Sequence, residues 1–302
     1  MFSFHRRASE TSRTAIVHSN VARAVAVVTR RAGVAPRLVH AVAEGRPKSG
    51  LAWRATQAML QSVPTRSGKV SAVLPPTEYQ MMLIEAPSVP DSELRDALRW
   101  KVRDQISTPI EQSVIDVFRL PEIRGQSNLV QVVVTTSAVV EEIEAIVKGA
   151  DRGLDVIDIP ELALRNLTRL LPQDDLGCVL LLISRGTLHI LLTVQGVLYV
   201  ARRVELTHGG AGDQVAVELQ RSLQYYESQF DRPPISDVLI GPEGDATDEL
   251  AAELSVATGL NCTALKLDQV LQIGPGIARI EQPELLLAVG AALRPAAMGV
   301  AA

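Results

Sequence analysis

CVLLLISRGTLHILLTVQG, residues 178–196, is the most apolar stretch of a 302-residue chain, and its reading decides the fold. Continued to Ala201 it has the length of a bilayer-spanning helix. Its contents argue against one. Arg185 would sit deep in the span, with His189 and Gln195 further along, and a central Arg costs about 2.5–3.5 kcal/mol on insertion scales. Arg185-Gly186 and Gln195-Gly196 instead divide the stretch where turns are needed, because glycine tolerates positive φ. CVLLLIS (178–184), TLHILLTV (187–194) and VLYVARRVEL (197–206) then read as the three strands of a β-meander.

Working outward, the first part of the chain has the same grammar. TAIVHSN (14–20), ARAVAVVTR (22–30) and RLVHAVAEG (37–45) are consecutive strands. LAWRATQAMLQSV (51–63) has helical spacing, and KVSAVLP (69–75) is a short buried strand. In the middle, YQMMLIEAP (79–87), DSELRDALRWKVRDQI (91–106), VIDVFRLP (114–121), LVQVVVTTS (129–137), SAVVEEIEAIVKGADRG (137–153) and LDVIDIP (154–160) give the order β-α-β-β-α-β. That order is the signature of a ferredoxin-like unit. Leu94, Leu98 and Val102 line one face of its first helix. ELALRNLTRLL (161–171) adds a helix. After the second meander come a helix (211–230), a strand (235–241), a helix (248–259), a strand (261–267) and a last helix, PELLLAVGAALR (283–294). The second half therefore repeats the plan of the first.

Composition sets bounds. Hydrophobic residues are 47% and charged residues 21%, as in ordinary globular domains, while aromatics are 3%. The cores must therefore be built from Leu, Val, Ile and Ala. A net charge of -4 gives no basic footprint for nucleic acid. Cys178 and Cys262 form no Cys-x-x-Cys pair, and the five histidines have no metal-ligand spacing, so buried free thiols are expected. Residues 1–13 are polar and basic without an apolar core segment, which reads as a disordered basic tail and not a secretory signal.

Two halves that each open on a three-stranded meander resemble the actin-like ATPase fold, an α/β fold of two lobes related to ribonuclease H. More specifically, ELQRSLQYYESQF (218–230) and PELLLAVGAALR (283–294) resemble motifs of PilM-type pilus assembly proteins. SVPDSELRDALRWKVRDQISTPIEQSVIDVFRLP (88–121) resembles the MshI branch, from the mannose-sensitive hemagglutinin type IV pilus system. Its Arg99-Trp100 pair, followed by Asp104 and Ile115-Asp116, is the most specific part. The resemblance implies a division into subdomain 1A (14–77 and 161–175), a ferredoxin-like subdomain 1C (78–160), 2A (176–210 and 265–302) and 2B (211–264).

What the resemblance implies about chemistry is mostly loss. In such ATPases each lobe offers a hairpin with Asp and Gly near its turn, where carboxylates serve Mg²⁺ and glycine lets backbone N–H groups approach phosphate. Here the first hairpin places Ile16 at the Asp position and His18 at the Gly position. Ser19 keeps a hydroxyl, and Arg23 stands for a usual Lys. The second places Leu182 and Ser184 at its Asp and Gly positions. The adenosine stretch survives only in part, as Gly241-Pro242-Glu243-Gly244. No cofactor is expected, and any residual contact with ATP and Mg²⁺ would fall to Ser19, Arg23, Gly186, Gly209, Gly210, Gly241 and Gly244. Asp158, Asp174 and Asp175 read as capping or loop residues. The expected activity is binding without catalysis, by a pseudo-ATPase scaffold at the inner face of the inner membrane. Its partner would be the N-terminal cytoplasmic peptide of a PilN-like bitopic membrane protein, with the assembly motor engaged indirectly. The peptide is expected between 1A and 1C, near Leu94, Leu98, Trp100 and Val102. The ending ALRPAAMGVAA shows no amphipathic face, so membrane attachment is expected through the partner only. The competing expectation is an ATPase whose nucleotide cycle regulates pilus assembly.

Overall fold

The computed structural model describes residues 11–19, 21–45, 52–64, 69–121, 128–207, 211–230 and 232–295. The first lobe is built on β1 (Thr11–His18), β2 (Arg23–Arg30), β3 (Arg37–Glu44), α1 (Ala52–Ser62) and β4 (Val70–Val73). An insert follows, made of β5 (Tyr79–Glu85), α2 (Asp91–Val102), β6 (Ser113–Arg119) and β7 (Leu129–Thr136). α3 (Ser137–Gly149), β8 (Leu154–Asp158) and α4 (Pro160–Thr168) close this half. The second lobe has β9 (Cys178–Ser184), β10 (Thr187–Val194), β11 (Val197–Glu205), α5 (Ala211–Gln229), β12 (Asp237–Gly241), α6 (Asp245–Thr258) and β13 (Asn261–Ala264). β14 (Gln272–Ile273) and α7 (Pro283–Ala292) end the described chain.

The repeat read in the sequence is a repeat in space. The first sheet runs β14-β3-β2-β1-β4-β8 and the second β11-β10-β9-β12-β13, so the five shared positions have the same order. In both, a meander is antiparallel and the strands that follow helices are parallel. The meander of residues 178–205 turns where glycine sits. Arg185 and Gly186 have φ of 53° and 81°, and Gln195 and Gly196 have 52° and 74°. Positive φ at both central residues matches the twist of the flanking strands. The described residues include no helix long and apolar enough to cross a membrane. Strand β1 begins at Thr11, so Thr11, Ser12 and Arg13 belong to the sheet and not to the tail expected over 1–13; the rest of that tail lies outside the described residues.

The insert differs from the ferredoxin-like unit expected over 78–160. Its sheet has only three strands, β5-β7-β6, with α2 on one face. α3 and β8 return to the first lobe. β8 pairs in parallel with β4, and α3 buries Ile143, Ile146 and Val147 against Met59, Leu60 and Val63. β4 has β1 as a parallel neighbour on one side, and β8 covers its other edge; a parallel pair needs a crossover connection, which ends here in α3. The sequence order β-α-β-β-α-β is the same in either pairing.

α4 and α7 also depart from the expected division. α4 follows the first lobe but lies against β9, β10 and β11 of the second. α7 follows the second lobe but lies against β1 and β2, and β14 joins the first sheet beside β3. The two helices cross each other, and Gly290 permits it: a Cβ there would stand 2.3 Å from the Ala163 carbonyl oxygen. One apolar core, including Val17, Ala26, Leu167, Leu180, Leu191 and Val289, therefore runs through both lobes.

Candidate functional site

Side chains at both hairpins that the sequence nominated bond to other parts of the protein. At the first, the Ser19 hydroxyl accepts from the Ala22 N–H (3.0 Å) and donates to the Ala22 carbonyl (2.8 Å), closing its own turn. Arg23 is buried, and its Nη2 donates to Glu44 on β3 (2.8 Å). Ile16 packs under α1 and α3. His18 points the same way, with Nδ1 2.7 Å from the Thr56 hydroxyl and Nε2 3.4 Å from Glu142. Burial lowers the His18 pKa, and Glu142 opposes that only in part.

At the second hairpin, Leu182 is fully buried in the core shared by the lobes. The turn itself is tied to α7, because Arg185 Nε donates to Glu284 (2.8 Å). Gly241 serves packing: a Cβ there would meet Leu286 Cδ2 at 2.7 Å. Gly244 is the N-cap of α6. Beside it Arg279 is within 3.4 Å of Glu243 and 3.3 Å of both Asp245 and Asp248. Glu243 of the stretch matched to adenosine binding, with Asp245 and Asp248 beyond it, thus converges on one guanidinium. Gly209 and Gly210 lie outside the described residues. Asp158 pairs with Arg294 (2.8 Å), and Asp174 accepts from Thr193 (2.6 Å) and from the Gly196 N–H. A magnesium-bound triphosphate needs hard oxygen ligands and compensating cations. At these turns Ile16 and Leu182 supply apolar surface, Ser19 and Arg185 are paired within the protein, and Arg23 is paired through Nη2 while its buried Nε and Nη1 have no partner. Among the described residues no group of three or more His, Cys, Asp and Glu is placed to hold a metal ion.

A buried polar cluster beside this region was not foreseen. Glu161, fully buried in the first turn of α4, accepts from the Tyr79 hydroxyl (2.7 Å) and lies 3.7 Å from His189 Nδ1 on β10. Burial holds the Tyr79 hydroxyl well above its ordinary pKa, and the Glu161 charge adds to this, so Tyr79 stays a donor. Arg203 on β11 stacks over the Tyr79 ring at 5.2 Å and donates to the Pro76 carbonyl (2.9 Å). The entry to the insert is thereby fastened to the second lobe. In sequence Glu161 reads only as an acid favoured by a helix N-terminus.

The residues expected to meet a peptide divide sharply. Leu94, Leu98 and Val102 are buried in the insert's own core against Ile84, Val130 and Val132, so they are not a binding surface. A helix over a three-stranded sheet must spend its apolar face on that sheet. Trp100, on the opposite side of α2, is 70% exposed. The concave surface lies on the other face of the insert. There Met81, Leu83 and Gln131 stand across from β11 and the end of α5, enclosing a cleft of about 620 Å³.

No protein-family model matches this sequence, and no curated protein matches it. Among solved structures, a "PilM-PilN type IV pilus biogenesis complex" superposes with a TM-score of 0.69 at 21% identity, covering 93% of this chain and 97% of that one. A Bacteroides thetaiotaomicron protein with an actin-like ATPase fold and unknown function follows at TM-score 0.51 and 9% identity, covering 90% and 96%. The molecule has the actin-like ATPase fold of the PilM type.

Proposed function

We propose that this protein is a cytoplasmic, non-hydrolytic scaffold of a type IV pilus machine of the mannose-sensitive hemagglutinin kind. It holds the cytoplasmic tail of a PilN-like bitopic inner-membrane protein and through that tail stands at the inner face of the inner membrane. The assembly motor is reached indirectly. The observation that carries this reading is the chemistry of both hairpins: buried Ile16 and Leu182 stand where the resemblance expects carboxylates, Ser19 closes its own turn, and Arg23 and Arg185 each pair with a glutamate. A fold that keeps its shape after losing its phosphate ligands is suited to binding another protein. The similarity to a structure of PilM with PilN supports the choice of partner class.

Two measurements test the reading. Immobilised full-length protein is expected to retain the cytoplasmic tail of one of the membrane pilus proteins encoded beside it; retention of none sinks the scaffold role. A fluorescent ATP analogue with Mg²⁺ is expected to show neither micromolar binding nor turnover. Micromolar binding with measurable hydrolysis would establish the regulatory ATPase instead.

A further inference from the structure

The cleft beside the insert has a wall that sheet proteins rarely leave open. Among the described residues β11 is the edge strand of the second sheet, paired only with β10. Alternate backbone N–H and C=O groups of an edge strand point away from its neighbour and are ready to pair with another chain. Residues 199–203 of β11 all line the cleft. At about 3.3 Å per residue they span roughly 17 Å, enough for five residues of an added strand.

The two sides of that edge differ in chemistry. Arg202 points toward α5, where Nη1 donates to Ser222 (2.9 Å) and Nη2 to Glu218 (2.9 Å). Arg221 of α5 also pairs with Glu218 (2.6 Å) and lines the cleft, as does Tyr225. The register sets Ala201 opposite Leu191, on the other face, and Arg203 on that same face donates to Pro76 at the entry of the insert. Beyond Arg203 this second side is bounded by Met81, Leu83 and Leu120, with Gln131 beside Leu83. Arg202, Arg203 and Arg221 all line the cleft, and no carboxylate does among its described lining residues. Charge often guards an edge strand against pairing. Here the bonds just described hold Arg202 and Arg203 to the faces of the sheet, and among the described residues no strand pairs with the outer backbone edge.

We propose that the outer edge of β11 binds a short extended peptide of alternating acidic and apolar residues, which joins the second sheet as an added strand beneath the insert. Successive side chains of a strand point to opposite faces, so one set meets Arg202 and Arg221 and the other meets Met81 and Leu83. The proposal deepens the scaffold reading and rests on it for the source of the peptide, the tail of the membrane partner.

The test uses full-length protein and three probes: a fluorescein-labelled heptapeptide alternating Glu with Leu, the same peptide with Lys for Glu, and the partner's tail. The Glu-Leu peptide is expected to bind about tenfold or more tightly than the Lys-Leu peptide, given the cost of like-charge contacts. It is also expected to slow backbone hydrogen exchange in β11. Arg221→Ala and Leu83→Glu, both at exposed positions, are each expected to weaken it several-fold, and Leu83→Glu does so without lowering the melting temperature. Equal binding of the two heptapeptides, or binding of neither, overturns the assignment. Tail binding that survives both substitutions also overturns it while leaving the scaffold reading intact. Groove-dependent binding of the Glu-Leu peptide with no tail retained supports the groove and removes the pilus role.

Discussion

Gly290 shows how a single residue carries the architecture. It sits inside α7, where glycine ordinarily costs about 0.5–1 kcal/mol relative to alanine. The Ala163 carbonyl oxygen is 2.3 Å from where a Cβ would stand, and Asn166 Nδ2 donates to the Gly290 carbonyl (3.1 Å). The obstructing atom is backbone, which moves only if α4 moves. Gly290→Ala is therefore expected to destabilise by about 1–3 kcal/mol, the range for overpacked cores, reversing the usual sign. Urea denaturation decides it; equal or higher stability would mean that the helices do not approach so closely. The same scale explains the thiols. Burial pushes Cys178 up to about 12 and raises Cys262 as well, so both are packing residues, as the sequence suggested.

Among the elements, α2 separates packing from exposure within one turn. Leu98 is completely buried, whereas Trp100 is 70% exposed. Leu98→Ala is expected to cost about 2–5 kcal/mol, the range for deleting a core leucine. Trp100→Ala is expected to stay within about 0.5 kcal/mol of the parent, as at other surface positions. Thermal melts of both variants check this, and a large loss at Trp100 would place it in a core. The helical spacing of Leu94, Leu98 and Val102 was legible in the sequence. What their face touches was not, because a 3.6-residue period marks burial without naming the partner. For the same reason β8 read as the last strand of the insert. Its Val and Ile content suits any buried sheet, and only the pairing with β4 assigns it.

At the scale of the whole molecule, the lobes are joined by substance as well as by chain. α4 and α7 each pack on the lobe they do not follow, within one core. Either lobe alone would expose that core. Calorimetry is expected to show a single unfolding transition whose calorimetric and van't Hoff enthalpies agree. Two resolved transitions would mean that the lobes are independent. The clustering of Glu161, Tyr79, His189 and Arg203 belongs to this scale too, since it draws on the insert, α4 and two strands of the second sheet.

The sequence by itself determined the repeated meander, the strands and helices of both halves, and the turns at Arg185-Gly186 and Gln195-Gly196. These are local facts, written in hydrophobic period, turn chemistry and residue identity. Tertiary structure alone decided that β8 leaves the insert, that α4 and α7 exchange lobes, that Leu94, Leu98 and Val102 face inward, and that an open edge lies along β11. Each of these depends on which of several buried or exposed surfaces meet across long separations in the chain. Apolar pattern says that a surface must be covered, and only close packing selects what covers it.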